Sequence, residues 1–411
     1  MTRKTVSDSP TSRALDGFLL LDKPQGLTSQ QAVTRVKRGL GARKAGHAGT
    51  LDPMATGLLV IGVGKATRLL GHFSDKDKQY EATIRLGWRT TTDDAEGEPI
   101  GEAKDATGIS TQDILAAMAH YVGEIQQVPS SVSAIKVDGK RAYALVRAGE
   151  EVALKPRTVT VTRYDLVSRR DSTVPSPGSV VPSSGSVILS SPSVILPQAG
   201  SLSSDPTVLS SDPTVLSSDP TVLSSDSTVP SSGSVVPSPG SVILSSPPVI
   251  LSSPSVILPK AGSPSPGWVD LDVVVDCSSG TYIRALARDL GEDLGVGGHL
   301  VRLRRTKVGK LSVDDAVDVD GVSPDKVMDM GSAAELIAPR VDVPPEWVAD
   351  IAVGRRIPVQ LTDDLVTVFS GDKLLALYRP DPSDSGLARP VAVFIVPEDC
   401  ETMTNGNKDG I

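Results

Sequence analysis

The residue best placed to do chemistry in this chain is Asp52. It stands in the run GHAGTLDPMATG, residues 46–57, with His47 five positions upstream and Pro53 directly after it. A proline fixes its own φ and biases the residue before it toward an extended backbone. Gly46, Gly49 and Gly57 allow turns that a Cβ would obstruct. A loop of this kind can hold one carboxylate rigidly against a substrate that comes close to the main chain. Taken alone, the same residues also read as an Asp-Pro turn whose carboxylate bonds its own backbone.

Four further stretches change that balance: GFLLLDKPQGLTS at 17–29, DKQYEATIRL at 77–86, SAIKVDGKRAYALVRAG at 133–149 and SSGTYIRALARDLGEDLG at 278–295. With GHAGTLDPMATGLL they resemble, in the same order, the signature segments of the bacterial tRNA pseudouridine synthases that act on uridine 55 of the T-arm, the TruB family. The matching segments span nearly the whole chain outside one insert. The resemblance implies the pseudouridine synthase fold, a mixed, mainly antiparallel sheet with a catalytic cleft across its middle. It also implies conversion of uridine to pseudouridine in the T-arm stem-loop of tRNA.

That reaction breaks the glycosidic bond from ring nitrogen, turns the base and reattaches it through carbon 5. It calls for no cofactor, metal or energy source. IGVGKAT at 61–67 is not a phosphate-binding P-loop, because Leu59 stands where the first glycine belongs. By resemblance Asp52 is the essential carboxylate, acting either as nucleophile at the anomeric carbon or as base toward the sugar's 2′ proton. Arg284 matches the arginine that pairs with it and favours its ionised form. Tyr80 matches the aromatic that stacks on the target base and relays the carbon-5 proton, and Tyr282 matches a second aromatic of the pocket wall. His47 matches the histidine that enters the space left by flipped nucleotides, since a base folded inside the T-loop must be extracted before it can react. Lys23 and Asp94 also match family positions, the first as a structural or phosphate-adjacent group, the second as an organiser of the cleft. Val132 departs from the family, where many relatives carry an aromatic residue.

These residues need elements to position them. Thr28 or Ser29 can cap a helix through Arg38, with Val33, Val36 and Leu40 on one face. Tyr80, Ala82, Ile84 and Leu86 alternate with Glu81, Thr83 and Arg85, a strand with one buried face. Ser110 with Asp113 caps a helix through Tyr121. Residues 282–294 form another helix, with Leu286, Leu290 and Leu294 in a row. Strands mixed with a few helices, without regular alternation, give an α+β domain.

The formal charge of −8 over 411 residues argues against indiscriminate nucleic-acid binding. Two segments are nevertheless basic without a single acid: Arg35, Lys37, Arg38, Arg43 and Lys44 within 34–44, and Arg302, Arg304 and Arg305 with Lys307 and Lys310 within 299–310. They read either as solvated faces or, given the family resemblance, as a localised phosphate-binding groove.

Residues 171–266 hold no aromatic residue. The heptad SSDPTVL appears there three times from Ser203 to Leu223, and ILSSPSVILPQAG at 188–200 returns at 250–262 with one change. Frequent proline argues against a coiled coil or a packed core, so the segment reads as a disordered or polyproline-like, low-complexity insert, the alternative being short strands in a repeat stack. It falls between Val159–Val167 and Val269–Val275, two valine-rich runs that would pair as a hairpin with an expanded turn. Loop closure costs grow only logarithmically with length, so the fold should survive it. The expected organisation is therefore a disordered tail at 1–14, a catalytic domain at 15–170 and 267–338, the insert at 171–266, a small β-rich domain at 339–400 and a flexible tail at 401–411. The β-rich domain is either the PUA-like RNA-binding module that members of the family often carry or a stabilising appendage.

Two cysteines and four dispersed histidines give no disulfide framework and no zinc site. No apolar run is long enough to span a membrane, and the N-terminus lacks the apolar core of a signal peptide. The expectation is a cytoplasmic monomer that binds tRNA and no membrane. The competing expectations are a relative that modifies another RNA and a tRNA-folding chaperone that does not depend on catalysis.

Overall fold

The computed structural model describes residues 15–130, 136–137, 140–141, 154–172 and 266–396. The expectations for the tails at 1–14 and 401–411, for Val132, for most of the 133–149 motif and for the insert from 173 to 265 lie outside the described residues.

Ten strands form the main sheet: β1 (Gly17–Lys23), β2 (Ala45–Ala48), β3 (Thr56–Val63), β4 (Lys78–Leu86), β5 (Gly123–Gln127), β6 (Arg157–Asp171), β7 (Val269–Cys277), β8 (Gly298–Val308), β9 (Leu311–Ser312) and β10 (Met328–Asp329). Their order is β10-β1-β3-β8-β4-β7-β6-β5, with β2 added on β3 and β9 on β8. The β3–β8 pairing is parallel and the other named pairings in this sheet are antiparallel. The centre of the sheet is thus where two strands run side by side in the same direction. There Gly57, at φ +97°, lets the backbone of Arg305 approach so closely that a Cβ would sit 2.3 Å from its carbonyl oxygen.

The helices are α1 (Ser29–Gly39), α2 (Leu70–Ser74), α3 (Thr111–Ala119), α4 (Ile283–Asp293), α5 (Met330–Glu335) and α6 (Val348–Ala352). Thr28 is the N-cap of α1, in a reciprocal capping box with Gln31. Ser110 caps α3 through the backbone of Asp113, and that helix ends at Ala119, two residues short of the expected Tyr121. Alternation along the strands splits the apolar residues between two faces. One face joins Leu19, Leu21, Tyr80, Ala82, Ile84, Val273 and Val275 to Val33 and Val36 of α1 and Leu286 and Leu290 of α4. The other joins Phe18, Leu20, Leu58 and Val60 to Ala333, Phe369, Leu377 and Phe394 of the C-terminal region.

That region is a second sheet of four strands in the order β11 (Arg340–Asp342), β12 (Val366–Ser370), β13 (Lys373–Asp381) and β14 (Asp384–Val393). The C-terminal region is fastened to the segment between β3 and β4 by long cationic side chains whose heads cap backbone carbonyls: Lys65 donates to Phe394 at 3.2 Å, Arg68 to Val393 at 2.7 Å and Lys76 to Ile337 at 2.9 Å.

β6 and β7 pair as a hairpin, with Asp171 opposite Val269 at the end from which the connection between them leaves. The pairing continues one step further, where Ser172 and Trp268 exchange hydrogen bonds at 2.8 Å in each direction. The hairpin therefore extends beyond the limits that composition suggested, and Asp171 belongs to the strand. Composition failed there because a short polar end of a strand looks like the Ser-rich segment that follows it.

Candidate active site

The loop between β2 and β3 carries Asp52, and three buried anchors fix it. Ser29, the first residue of α1, accepts from the amide of Leu51 at 2.9 Å and donates to the carbonyl of Leu51 at 3.0 Å. Lys23, wholly buried at the end of β1, donates to the carbonyls of Leu27 at 2.8 Å, Pro24 at 3.0 Å and Pro53 at 3.4 Å. Burial lowers its pKa to about 8. Arg305, 1% exposed on β8, donates to Leu58 at 2.8 Å and to Gly49 at 3.0 Å. The loop is held on both flanks, and the carboxylate between them keeps 40% of its side chain exposed.

Arg284 meets that carboxylate from the first turn of α4. Its Nη2 lies 3.0 Å from Asp52 Oδ2, while Nη1 donates to the carbonyl of Thr92 at 3.0 Å and reaches Asp94 Oδ2 at 3.3 Å. Asp94 in turn accepts from the Thr92 hydroxyl at 2.5 Å and the Glu96 amide at 3.0 Å. Arg284 is 5% exposed, so a buried guanidinium with fixed partners presents one nitrogen to a half-exposed carboxylate. Such charge-assisted bonds are short and directional, so they orient the acid.

The start of α4 is itself anchored. Gln127, buried at the end of β5, accepts from the Tyr282 amide at 2.8 Å and donates to the Tyr282 carbonyl at 3.1 Å. Neither Gln127 nor Ser29 stood out as an anchor in the sequence, because their partners lie 155 and 22 residues away.

Asp52, Tyr80, Tyr282 and Arg284 line one cleft of about 300 Å³, together with Lys78, Leu303, Arg305 and the 278–281 loop. Tyr80 is the register partner of Arg305 across β4 and β8. Burial pushes its phenol above the ordinary value, with the Arg305 guanidinium in hydrogen-bond reach pulling the other way. His47 on β2 has a buried Nδ1 without a hydrogen-bond partner, and burial with the nearby Arg305 charge holds its pKa below the ordinary range. Among the described residues no group of three His, Cys, Asp or Glu side chains could hold a metal ion.

The two basic segments have different fates. Arg35, Lys37 and Arg38 are exposed on α1, which packs on the cleft face of the sheet, and Arg43 and Lys44 are exposed just after it. The segment on β8 is divided by the pleat. Leu303 and Arg305 line the cleft, whereas Arg302 and Arg304 face the other side, where Arg304 makes a two-pronged ion pair with Asp22 at 2.9 and 2.7 Å. Arg305, expected on a solvated face or in a phosphate-binding groove, is instead buried under the Asp52 loop with backbone carbonyls as partners, and Lys23 is buried there too, in keeping with the structural one of its two expected roles. A single undiluted run of arginines does not make a single patch when it lies in a strand.

A family model described as the N-terminal domain of TruB family pseudouridylate synthase matches residues 37–184, and one described as the tRNA pseudouridylate synthase B C-terminal domain matches 284–337. The second match ends ahead of the four-stranded sheet. Among curated proteins, the tRNA pseudouridine synthase B of Cutibacterium acnes is 41% identical over 385 residues, covering 92% of this chain and 98% of its own length. That of an Arthrobacter species is 38% identical over 388 residues, covering 92% and 97%. Among solved structures, a Cbf5–Nop10–Gar1 complex contains a chain with a TM-score of 0.53 and 20% identity over 93% of this chain and 86% of that one. A second, described as an H/ACA RNP bound to a substrate RNA containing 2′-deoxyuridine, scores 0.52 at 18% identity.

Proposed function

Since the chain belongs to the TruB family of pseudouridine synthases, we propose that Asp52, Arg284 and Tyr80 carry out the isomerisation of uridine 55 in the T-arm of tRNA. The chain is an isomerase that converts uridine to pseudouridine in tRNA, and its fold is that of the pseudouridine synthases. The observation that carries the assignment of residues is the 3.0 Å contact between Arg284 and Asp52 at the mouth of the cleft.

In this reading the target base leaves the T-loop and enters the cleft, whose volume admits one base at a time. Asp52, oriented by Arg284 at 3.0 Å, acts on the sugar either as nucleophile at the anomeric carbon or as base toward the 2′ proton. The bond from the anomeric carbon to ring nitrogen breaks, the freed base turns against the face of Tyr80, and the bond to carbon 5 forms. The displaced carbon-5 proton ends on the ring nitrogen, so nothing is gained or lost overall. A buried phenol with its pKa raised stays protonated at neutral pH, which suits Tyr80 to stacking and proton relay beside Arg305. Asp94 keeps Arg284 in place, and Tyr282 closes the wall. His47, neutral at physiological pH, occupies the gap left by the extracted nucleotides.

Arg35, Lys37 and Arg38, exposed on α1, and Arg43 and Lys44, exposed just after it, supply phosphate contacts for the stem. We read the protein as a monomer. A tRNA substrate fits a cytoplasmic location. No helix among the described residues is long and apolar enough to cross a membrane.

The test is to map pseudouridine in an unmodified tRNA and in an isolated T-arm stem-loop after incubation with the protein. The reading expects modification at position 55 in both. Modification elsewhere, or none with RNA bound, would replace it with another RNA target or a binding role.

A further inference from the structure

Arg284 is not alone on its side of α4. One turn further on, Arg288 projects from the same side of the helix, and the two arginines grip adjacent acids: Arg284 reaches Asp94 at 3.3 Å and Arg288 reaches Asp93 at 3.2 Å. Asp93 is the one non-glycine among the described residues with a positive φ, +58°. A side chain in the left-handed region carries a cost that its surroundings must offset. Here the offset is visible. Arg288 holds the Asp93 carboxylate with Nη1 and the carbonyl of Val128 with Nη2 at 2.8 Å, and its Nε is fixed on Asp289 at 2.7 Å. The turn is tied to the central sheet as well. The Leu300 amide donates to Asp93 at 3.0 Å, the Ala95 amide donates to Leu300 at 2.9 Å, and Ser130 donates to Thr92 at 3.2 Å.

The Thr92–Asp94 turn supplies two groups that hold Arg284 Nη1: the carbonyl of Thr92 and the carboxylate of Asp94. The left-handed residue sits between them, so its conformation sets the spacing of the two acceptors.

We infer that Arg288 and Asp93 are positioning residues for the reaction. Their ion pair locks the turn that aims Arg284 at Asp52. Neither touches the cleft, which Arg288 and Asp93 do not line. This assignment rests on the reading that Arg284 orients Asp52.

A double-mutant cycle tests it, measured as single-turnover pseudouridine formation on unmodified tRNA with the full-length protein. Arg288→Met should slow the step about tenfold, a coupling typical of residues in one ion-pair network, with tRNA affinity unchanged within about twofold. Introduced into Arg284→Lys, it should cost nothing further, because the arginine it aims is already lost. Asp93→Asn, which tolerates a positive φ and keeps an acceptor for Arg288, should lose less than Asp93→Ala. If Arg288→Met does not fold, Arg288→Lys takes its place, with a smaller loss that again vanishes in the Arg284→Lys background. A wild-type rate in the Arg288 variant, or losses that multiply in the double variant, would overturn the inference while leaving the role of Arg284 standing. A wild-type rate in Arg284→Lys itself would overturn both.

Discussion

The ammonium of Lys23 lies 3.4 Å from the carbonyl oxygen of Pro53, the residue that follows Asp52, and donates also to Leu27 and Pro24. One buried cation thus ties the end of the first strand to the loop that carries the acid. Replacing it with Met leaves those carbonyls short of a donor, at about 1–3 kcal/mol for each one left unsatisfied. We predict that Lys23→Met lowers kcat by roughly 10- to 100-fold through a misplaced Asp52, while tRNA affinity, measured by filter binding, changes little.

The pleat of β8 separates residues that the sequence lists together. Arg302→Ala, on the face away from the cleft, should leave tRNA affinity within about twofold of wild type. Lys37→Ala and Arg38→Ala should each weaken it across all tRNAs and reduce the salt dependence of binding by about one unit of slope per lost phosphate contact. Equilibrium binding at several salt concentrations checks the contrast.

Much of this arrangement was legible in the sequence, and the part that was not has a common cause. The alternation at 80–86, the caps at Thr28 and Ser110 and the valine runs flanking the insert are local signals, and each became the element they indicated. Asp52, Tyr80 and Arg284 could be assembled only through the family resemblance, because 232 residues separate Asp52 from its arginine in the chain. What stayed hidden were the anchors: Ser29 on Leu51, Gln127 on Tyr282, Lys23 on Pro53 and Arg305 on Gly49. Their partners are backbone atoms of distant loops, and a backbone carbonyl has no sequence signature. The same blindness put Arg305 among the candidate cations for RNA and left Lys23 open between a structural and a phosphate-adjacent role, since charge is visible in a sequence and burial is not.

Three histidines share a titration signature. Burial holds the pKa values of His47, His72 and His299 below the ordinary 6.5. In the unfolded chain they bind protons at a higher pH than in the fold, so stability is complete above about 6.5 and falls as pH drops below it. His299→Gln, which keeps a donor for the carbonyl of Trp88 that His299 Nδ1 contacts at 3.1 Å, should make the decline in Tm between pH 7 and pH 5 shallower. An unchanged slope would show that His299 does not contribute.

The reciprocal bonds between Ser172 and Trp268 mark where the 173–267 excursion leaves the hairpin. Replacing residues 173–267 by Asn-Gly, which favours the tight turn a two-residue hairpin loop requires, should preserve the β6–β7 pairing and leave turnover within about twofold. A large loss of activity in a folded deletion protein would assign the excursion a role in catalysis or RNA binding.

That Asp52, aimed by Arg284, performs the chemistry is what we propose. Its most direct test is pseudouridine formation at position 55 of an unmodified tRNA transcript, wild type beside Asp52→Asn, with tRNA binding measured in parallel. The account predicts product from the wild type alone, with both proteins binding tRNA. Comparable product from Asp52→Asn would contradict it, and so would tRNA binding without product from the wild type.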